Sequence, residues 1–450
     1  MIDTFSIRCS ILHLAFSGKL TEQHESDGTA FELISMVNPS KSIIYDGKTP
    51  YDLPPSWAWV RLADLYSINP KIEADSSVDA AFIPMDKISA GFDDRFSFET
   101  QKWGVASKNH TRFADGDVAF AKISPCFENR KSFIAHGLPN GIGGGTTELI
   151  ILRQKLILPR YTYYLILDQR FIHAGSASYH GIVGQQRVQS DVIKNYLVPV
   201  APYSEQKRIV EKIEQAFSIL DTIDTLQGQY ADDLTVLKSK LIDAAIQGKL
   251  TEQLSEDGTA EELYQQIQAE KQALIKAGKI KKEKPLPEIT ADEIPFEIPS
   301  NWKWVRIGAL FTLQSGKNMP ANEIYDCSDE THLIPCYGGN GQRGFVNQAN
   351  VDGYHAIIGR QGALCGNINF AMGPFYATEH AVVVYEYAGT DMNWAGITLR
   401  ALNLNQYATS VAQPGLAVNK IDRVLIPLPP LAEQKRIVER LNEVMSCFSS

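Results

Sequence analysis

The heptapeptide EQKRIVE stands at residues 205–211 and again at 433–439. Other pieces of the chain recur with it. GKLTEQ occupies 18–23 and 248–253, and DGTA occupies 27–30 and 257–260. Trp57-Ala58-Trp59-Val60-Arg61 returns as Trp302-Lys303-Trp304-Val305-Arg306. Repeats of this kind constrain the fold before any local propensity does. GKLTEQ and DGTA recur at an offset of 230, the tryptophan pair at 245 and EQKRIVE at 228. The unit is therefore two helical pieces plus a globular piece whose length differs between copies. Its period is far longer than the roughly 20–50 residues of a solenoid repeat. A chain that states everything twice points to a target with two halves.

The order of the pieces is cyclically permuted. The central segment runs from EQKRIVEKIEQAF through YADDLTVLKSKLIDAAIQGKLTEQ. The C-terminus from Glu433 matches only its start, and the N-terminus to Gln23 matches only its end. The match at the C-terminus runs out at Ser450, before any counterpart of residues 223–230. One long helical element is thus whole in the middle and split between the termini. That predicts two equivalent halves and cyclic pseudo-twofold symmetry.

The 450 residues allow two or three domains, and 44% hydrophobic with 21% charged residues is ordinary for a soluble protein. No apolar run reaches the roughly 18 residues of a membrane span, and the N-terminus does not read as a signal peptide. The six cysteines at 9, 126, 327, 336, 365 and 447 show no CxxC spacing. They read as reduced, cytoplasmic and mostly buried thiols. Cys327, Cys336, His355 and Cys365 are the nearest approach to a metal set, and their irregular spacing favours buried thiols. No metal or other cofactor is expected. The net charge of −9 argues against a simple nucleic-acid binder. Residues 57–203 carry +2 and residues 302–428 carry −1, so the acidic excess lies in the helical connectors.

Residues 204–247 read as one long helix. Apolar residues at 209, 213, 217, 220, 223, 226, 230, 234, 237, 241 and 245 alternate three and four apart, as in a coiled-coil seam. Ser204 is the expected N-cap and Gly248 the stop. At 1.5 Å per residue the helix spans about 66 Å. Its natural partner is the split copy, 3–17 with 431–448. A second helix starts at each DGTA, where Thr29 with Glu32 and Thr259 with Glu262 fit capping boxes. The first of these is expected to stop at Asn38-Pro39.

Residues 57–203 and 302–428 are rich in short apolar runs, glycines and aromatics, and read as mixed β with a few helices. They share weak anchors. Asp115-Gly116 with 118–122 parallels Asp352-Gly353 with 355–360, and Thr147-Glu148-Leu149-Ile150 parallels Thr378-Glu379-His380-Ala381. Elsewhere they diverge, although their flanks are nearly identical. The frame holds and the contents discriminate.

On the PLPPLAEQKRIVE helix start, the central GKLTEQ–DGTAEEL segment, the IPSNWKWVRIG stretch and the cyclic duplication, the whole chain resembles the specificity subunit of type I restriction-modification systems. At 199–202 it departs from that pattern, reading PVAP. The resemblance implies a mixed α+β chain with two globular α/β target recognition domains, separated by two long antiparallel coiled-coil helices. The parts are a helical segment over 1–50, a recognition domain over 51–203, a central helical region over 204–284, a second recognition domain over 285–430 and a helix over 431–450 that completes the split region. The implied role is reading a bipartite site in double-stranded DNA. The implied partners are two methyltransferase subunits and, in the full complex, two restriction subunits.

Catalytic motifs are absent. There is no GxxxxGK[ST] phosphate loop, no Asn/Asp-Pro-Pro-Tyr/Phe run and no Pro-Asp dipeptide to open a nuclease site. The alternative is a stand-alone DNA-modifying enzyme, a diverged methyltransferase or nuclease with a scattered site. Gly339, Gly341 and Gly344 match a dinucleotide fingerprint, but FVNQANVDGYHAII follows them where a helix is required. The Trp-x-Trp pairs are better read as anchors to the helix than as base-stacking platforms. Lys207, Arg208, Lys435 and Arg436 could touch phosphate, yet their identity in both copies favours scaffold.

Sequence reading needs Arg, Lys, Asn and Gln at base edges. In the first domain the candidates are Lys108, Arg112, Lys122, Arg130, Lys131, Gln185, Gln186 and Arg187, the last three on the glycine loop 181–187. In the second they are Lys317, Asn318, Asn340, Gln342, Arg343, Arg360, Gln361, Asn419 and Lys420.

Overall fold

The structure is a computed structural model that describes residues 1–37, 44–154, 156–182, 184–282, 284–362, 364–409 and 415–448. The expected stop at Asn38-Pro39 lies outside the described residues. The chain divides into two compact units, residues 1–228 and 229–450. Both units mix helices and strands, as the sequence implies.

In each unit a two-stranded antiparallel ribbon closes the globular piece. Ala58–Arg61 pairs with Leu197–Val200 in the first, and Lys303–Arg306 with Leu425–Leu428 in the second. An inner four-stranded sheet follows with one strand order in both. In the first it is Tyr66–Ile68, Leu149–Gln154, Val118–Ala121, Ser132–Ile134. In the second it is Thr312–Ser315, Ala381–Tyr385, His355–Gly359, Ile368–Ala371. The central strands read as unbroken apolar runs because both faces are covered. Side chains alternate along a strand, so Val118, Phe120, Ile150 and Leu152 enter the core shared with the helices. Ala119, Phe133, Leu149 and Ile151 enter a second core behind it. The second unit divides Ala356, Ile358, Val382 and Val384 from Ile357, Ala381 and Val383 in the same way. An outer sheet completes each unit, with four strands in the first and three in the second.

The long helix runs Tyr203–Ile246, one residue before the expected Ser204 cap. It ends where Gly248 turns back at φ 68 and its amide reaches the Ala245 carbonyl. Both capping boxes form, Thr29 with Glu32 and Thr259 with Glu262. The split pieces join the long helix unit by unit. In the first unit Thr4–Phe16 lays Leu12, Ala15 and Phe16 among Ile209, Ile213, Phe217 and Leu220. Buried Arg8 bonds Asp221 at 2.5 Å and Asp224 at 2.9 Å. In the second unit Leu431–Ser446 places Ile437, Leu441 and Met445 with Leu241 and Ala245. The expected seam is buried only at its ends. Leu226 (58% exposed), Tyr230 (58%) and Leu237 (41%) stand in solvent. The partner helices of 13 and 16 residues are too short to cover 44.

The repeated motifs make closely similar bonds in each unit, and among the described residues Gln23 has no counterpart on Glu433. The buried Glu205 carboxylate accepts from Trp57 Nε1 (2.8 Å), Thr21 Oγ1 (3.0 Å) and Gln23 Nε2 (2.6 Å). Glu433 accepts from Trp302 Nε1 (2.8 Å) and Thr251 Oγ1 (2.9 Å). Gln206 joins the Leu158 amide to the Ala201 carbonyl, and Gln434 joins the Asp391 amide to the Pro429 carbonyl. Arg208 clamps Asp27 at 2.8 and 2.6 Å, and Arg436 clamps Asp257 at 2.7 and 2.5 Å.

Two outcomes follow from this frame. Trp57→Phe or Trp302→Phe strips one donor from a buried carboxylate. Each should cost roughly 1–3 kcal/mol in urea unfolding. Trp302→Phe should cost at least as much as Trp57→Phe, because among the described residues Glu433 keeps Thr251 alone while Glu205 keeps Thr21 and Gln23. The second outcome concerns acid. Hydrogen bonds from Arg208 and Arg436 hold the Asp27 and Asp257 carboxyls below their ordinary range. A depressed folded pKa contributes stability that is present above the unfolded value of about 3.9 and lost as pH falls through the folded one. Arg208→Gln should therefore be less stable than the parent at pH 6, and the gap should shrink below about pH 4.

Candidate nucleic-acid interface

The candidate side chains fall into distinct settings. Lys122 ends the inner strand Val118–Ala121, and the loop 184–188 folds beside it. The Val188 amide donates to the Lys122 carbonyl at 2.9 Å, and the Ser124 amide to the Gln186 carbonyl at 2.8 Å. Ile123 and Arg187 form a β-bridge. Lys122, Gln185, Gln186 and Arg187 are thereby brought to one end of the inner sheet. The Arg187 guanidinium grips Glu148 through two nitrogens, Nε to Oε2 at 2.9 Å and a terminal nitrogen to Oε1 at 2.7 Å.

Lys108 and Arg112 lie elsewhere, by the outer strand Thr111–Ala114. Both are exposed. Arg112 lies over the Trp103 ring. Lys131 is committed to the Met85 carbonyl at 2.9 Å. Arg130 corrects the expectation outright. Only 5% of it is exposed. It donates to the Leu167 carbonyl at 3.0 Å and to Gln169 Oε1 at 2.5 Å, with its guanidinium 5.0 Å from the Phe5 ring centre and 5.2 Å from that of Phe92. It is a packing residue that joins the recognition piece to the N-terminal helix. Burial also lowers its pKa from the ordinary arginine value.

The second unit repeats the arrangement around Arg360. The Leu416 amide donates to the Arg360 carbonyl at 2.9 Å, and Gln361 bridges Gly415. The Arg360 amide donates to the His380 carbonyl, as the Lys122 amide does to that of Glu148. Lys122 and Arg360 are therefore equivalent, and so are Glu148 and His380, and Arg187 and Gly415. Thr146 and Thr378 also correspond, since their amides donate to Ile83 and Tyr337 and their carbonyls accept from Leu149 and Ala381. This moves the sequence pairing of Thr147 with Thr378 by one residue.

Lys317, Asn318, Asn340, Gln342, Arg343 and Gln361 are exposed at the same end, and Arg360 is half-buried there. Lys317 bridges Thr378, and Asn318 accepts from Tyr376. Gly339 passes so close that a Cβ on Gly359 would lie 2.0 Å from its carbonyl oxygen. The glycine run continues into strand Gly341–Val346 and has no helix to seat a dinucleotide. Asn419 and Lys420 lie exposed on the short helix Val418–Ile421 that follows. Glu148 and His380 stand at the centre of the two clusters. A search for basic and amide side chains passes over both, and no sequence signal joins Glu148 to Arg187, which lie 39 residues apart.

The tryptophan pairs are anchors. Trp57 and Trp302 bond the helix-start glutamates, and Trp59 donates to the Tyr51 carbonyl at 3.2 Å. Arg208 and Arg436 are held in their aspartate clamps. All six cysteines are free, with Cys336 and Cys365 buried, Cys9 and Cys126 half-buried and Cys327 and Cys447 exposed, so fewer are buried than expected. His355 lies between the Val384 and Asp352 carbonyls. No group of metal-holding side chains occurs among the described residues, and no helix among them is long and apolar enough to cross a membrane.

Two modules with one frame and different loops are the architecture of a specificity subunit. Residues 299–449 match the type I restriction modification DNA specificity domain. The chain is 30% identical to the EcoAI type I restriction enzyme specificity subunit of Escherichia coli, over 99% of this chain and 90% of that one. It is 36% identical to the EcoEI specificity subunit of Escherichia coli, over 73% of this chain and 65% of the relative. A solved structure described as the basis of complex assembly and conformational transition of the type I R-M system superposes with a TM-score of 0.68 at 19% identity. It covers 89% of this chain and 93% of the other. The HsdS subunit of Thermoanaerobacter tengcongensis superposes at 0.55 with 18% identity, over 89% and 92%. The chain belongs to the family of type I restriction enzyme specificity subunits.

Arg130 and Arg187 should separate in experiment. Arg130→Ala should cost roughly 1.5–3 kcal/mol of stability in chemical denaturation, because it removes charged buried hydrogen bonds. Arg187→Ala should leave the unfolding midpoint in place and act on DNA binding alone.

Proposed function

We propose that the chain reads a bipartite site in double-stranded DNA, one half-site per module, and acts in the cytoplasm. It holds two methyltransferase subunits and, in the full complex, two restriction subunits. The observation that carries this reading is the contrast between frame and ends. Glu205, Gln206 and Arg208 repeat their bonds at Glu433, Gln434 and Arg436, while the inner sheets end in loops of different length and chemistry. A constant frame suits constant partners, and variable ends suit different bases.

The base-reading set consists of the candidates that reach solvent at the sheet ends. They are Lys122, Gln185, Gln186 and Arg187 in the first module. In the second they are Lys317, Asn318, Asn340, Gln342, Arg343, Arg360 and Gln361. Lys108, Arg112, Asn419 and Lys420 lie to the side and suit phosphate contacts, which position a protein without reading sequence. The chain itself performs no chemistry. The methyl donor, the extrusion of the target base and ATP belong to the partners.

Domain exchange tests this. Replacing residues 57–203 by the matching segment of a relative should change one half-site and leave the other intact, read by methylation mapping of the assembled complex. A joint change in both half-sites would remove the independent-reader mechanism. Methyl transfer or cleavage by the purified chain alone would establish the stand-alone enzyme instead.

A further inference from the structure

The equivalence of Glu148 with His380 exposes a difference between the modules. In the first, Glu148 lies just before the inner strand Leu149–Gln154 and is filled by Arg187 from the neighbouring loop. In the second, Gly415 stands where Arg187 would be and has no side chain to offer. The groups left behind are not paired off. The Thr378 hydroxyl, Asn369 Nδ2, Glu379 Oε2 and His380 Nδ1 are all buried and have no hydrogen-bond partner among the described residues. Thr378 is wholly buried. The Glu379 and His380 side chains meet each other at 3.1 Å, through Oε1 and Nε2, and each is about a third exposed.

The glycine turn 338–341 is built over this cluster. A Cβ on Gly338 would lie 2.5 Å from Arg343 Cδ and 3.6 Å from the Thr378 hydroxyl, and one on Gly341 would lie 3.3 Å from Asn369 Oδ1. Side chains there would fill the space above the unpaired groups. Buried polar atoms without partners are costly and uncommon. Four of them in one module, at the end where the first module presents an ion-paired arginine, mark a place completed by a ligand.

Resting on the DNA-reading function proposed above, we infer that this position is the specificity-determining point of each module. Arg187, aimed by Glu148, reads a guanine edge in one half-site, and Glu379 with His380 reads an exocyclic amino group in the other. The chemistry follows from the groups. The planar guanidinium is oriented by the Glu148 carboxylate and by the Gln185 carbonyl, to which its other terminal nitrogen donates at 3.2 Å. The N–H groups of its two terminal nitrogens left over form a fork that fits guanine O6 and N7. A carboxylate can only accept when ionised. Cytosine N4 and adenine N6 both offer it an amino donor in the major groove, and cytosine suits it better because adenine N7 beside N6 is an acceptor. Glu148 is a positioning residue; Arg187, Glu379 and His380 touch the base.

The test uses the chain assembled with its methyltransferase subunits and DNAs in which each half-site position is varied singly. Arg187→Ala should reduce discrimination at one position of the first half-site by about 5- to 140-fold, the range that one bidentate base contact supplies. The second half-site should keep its profile. Glu148→Gln should loosen the same position and no other, whereas a purely structural role would scale all substrates alike. Glu379→Gln adds a donor to an acceptor and should change preference at one position of the second half-site only. Arg187→Ala will fold, because the second module already carries glycine at the equivalent place. If Glu379→Gln fails to assemble, the first-module variants decide. Unchanged profiles, or uniform loss on every DNA, would overturn the inference. A domain exchange that leaves both half-sites unaltered would instead overturn the reading on which it rests.

Discussion

A buried carboxylate at the start of a helix governs each half of this molecule. Glu205 and Glu433 have no exposed surface. An ionised carboxyl so placed is unfavourable unless its oxygens are fully bonded. The donors come from segments far apart in the chain. Trp57 belongs to the first strand of the recognition piece, Thr21 and Gln23 to the connector after the N-terminal helix, and Glu205 to the long helix. None of these can move without leaving a buried carboxyl oxygen short of a partner. The connector is held as tightly by shape. A Cβ on Gly18 would lie 2.3 Å from Pro54, and one on Gly248 would lie 2.4 Å from Pro299, both at φ near 70°. Only glycine lets the chain turn there.

The inner sheet separates stability from recognition. Its central strands are buried on both faces, so their side chains are committed to packing. The strand ends carry no such obligation. That freedom explains how Lys122 and Arg360 share a backbone position, Glu148 and His380 share another, and the loops beside them share none. The cost of altering a loop is small when the sheet beneath it is indifferent to the change.

The second module is also held where no target is read. The helix after the second DGTA runs Ala260–Lys276, and its last turns are put to use. Gln268 reaches the Ala309 carbonyl, Glu270 caps the Ala388 amide and Lys271 bonds the Gly308 and Phe311 carbonyls. The described helix after the first DGTA is Ala30–Val37. The helix Ala260–Lys276 therefore braces the second recognition piece from outside.

Much of this was legible in the chain. The duplication, its cyclic order, the long helix and the capping boxes are local or periodic signals, and a repeated heptapeptide reports a repeated environment without reference to its contacts. The tryptophan pairs could be assigned as anchors because they recur with the frame. What the sequence could not decide was which cations are free. Arg130 and Arg187 look alike in a list of basic residues, yet one is sealed beneath Phe5 and Phe92 and the other stands in solvent on Glu148. The register of Thr146 with Thr378 also needed backbone hydrogen bonds, because one residue of slip is invisible where the sequences have diverged. The seam of the long helix shows the same limit. Periodicity marks residues able to be buried, but Leu226, Tyr230 and Leu237 are exposed because the helices that pair with its two ends are shorter than it is. Spacing along a chain fixes which side of a helix or strand a residue occupies. Whether anything covers that side is decided only when distant segments meet.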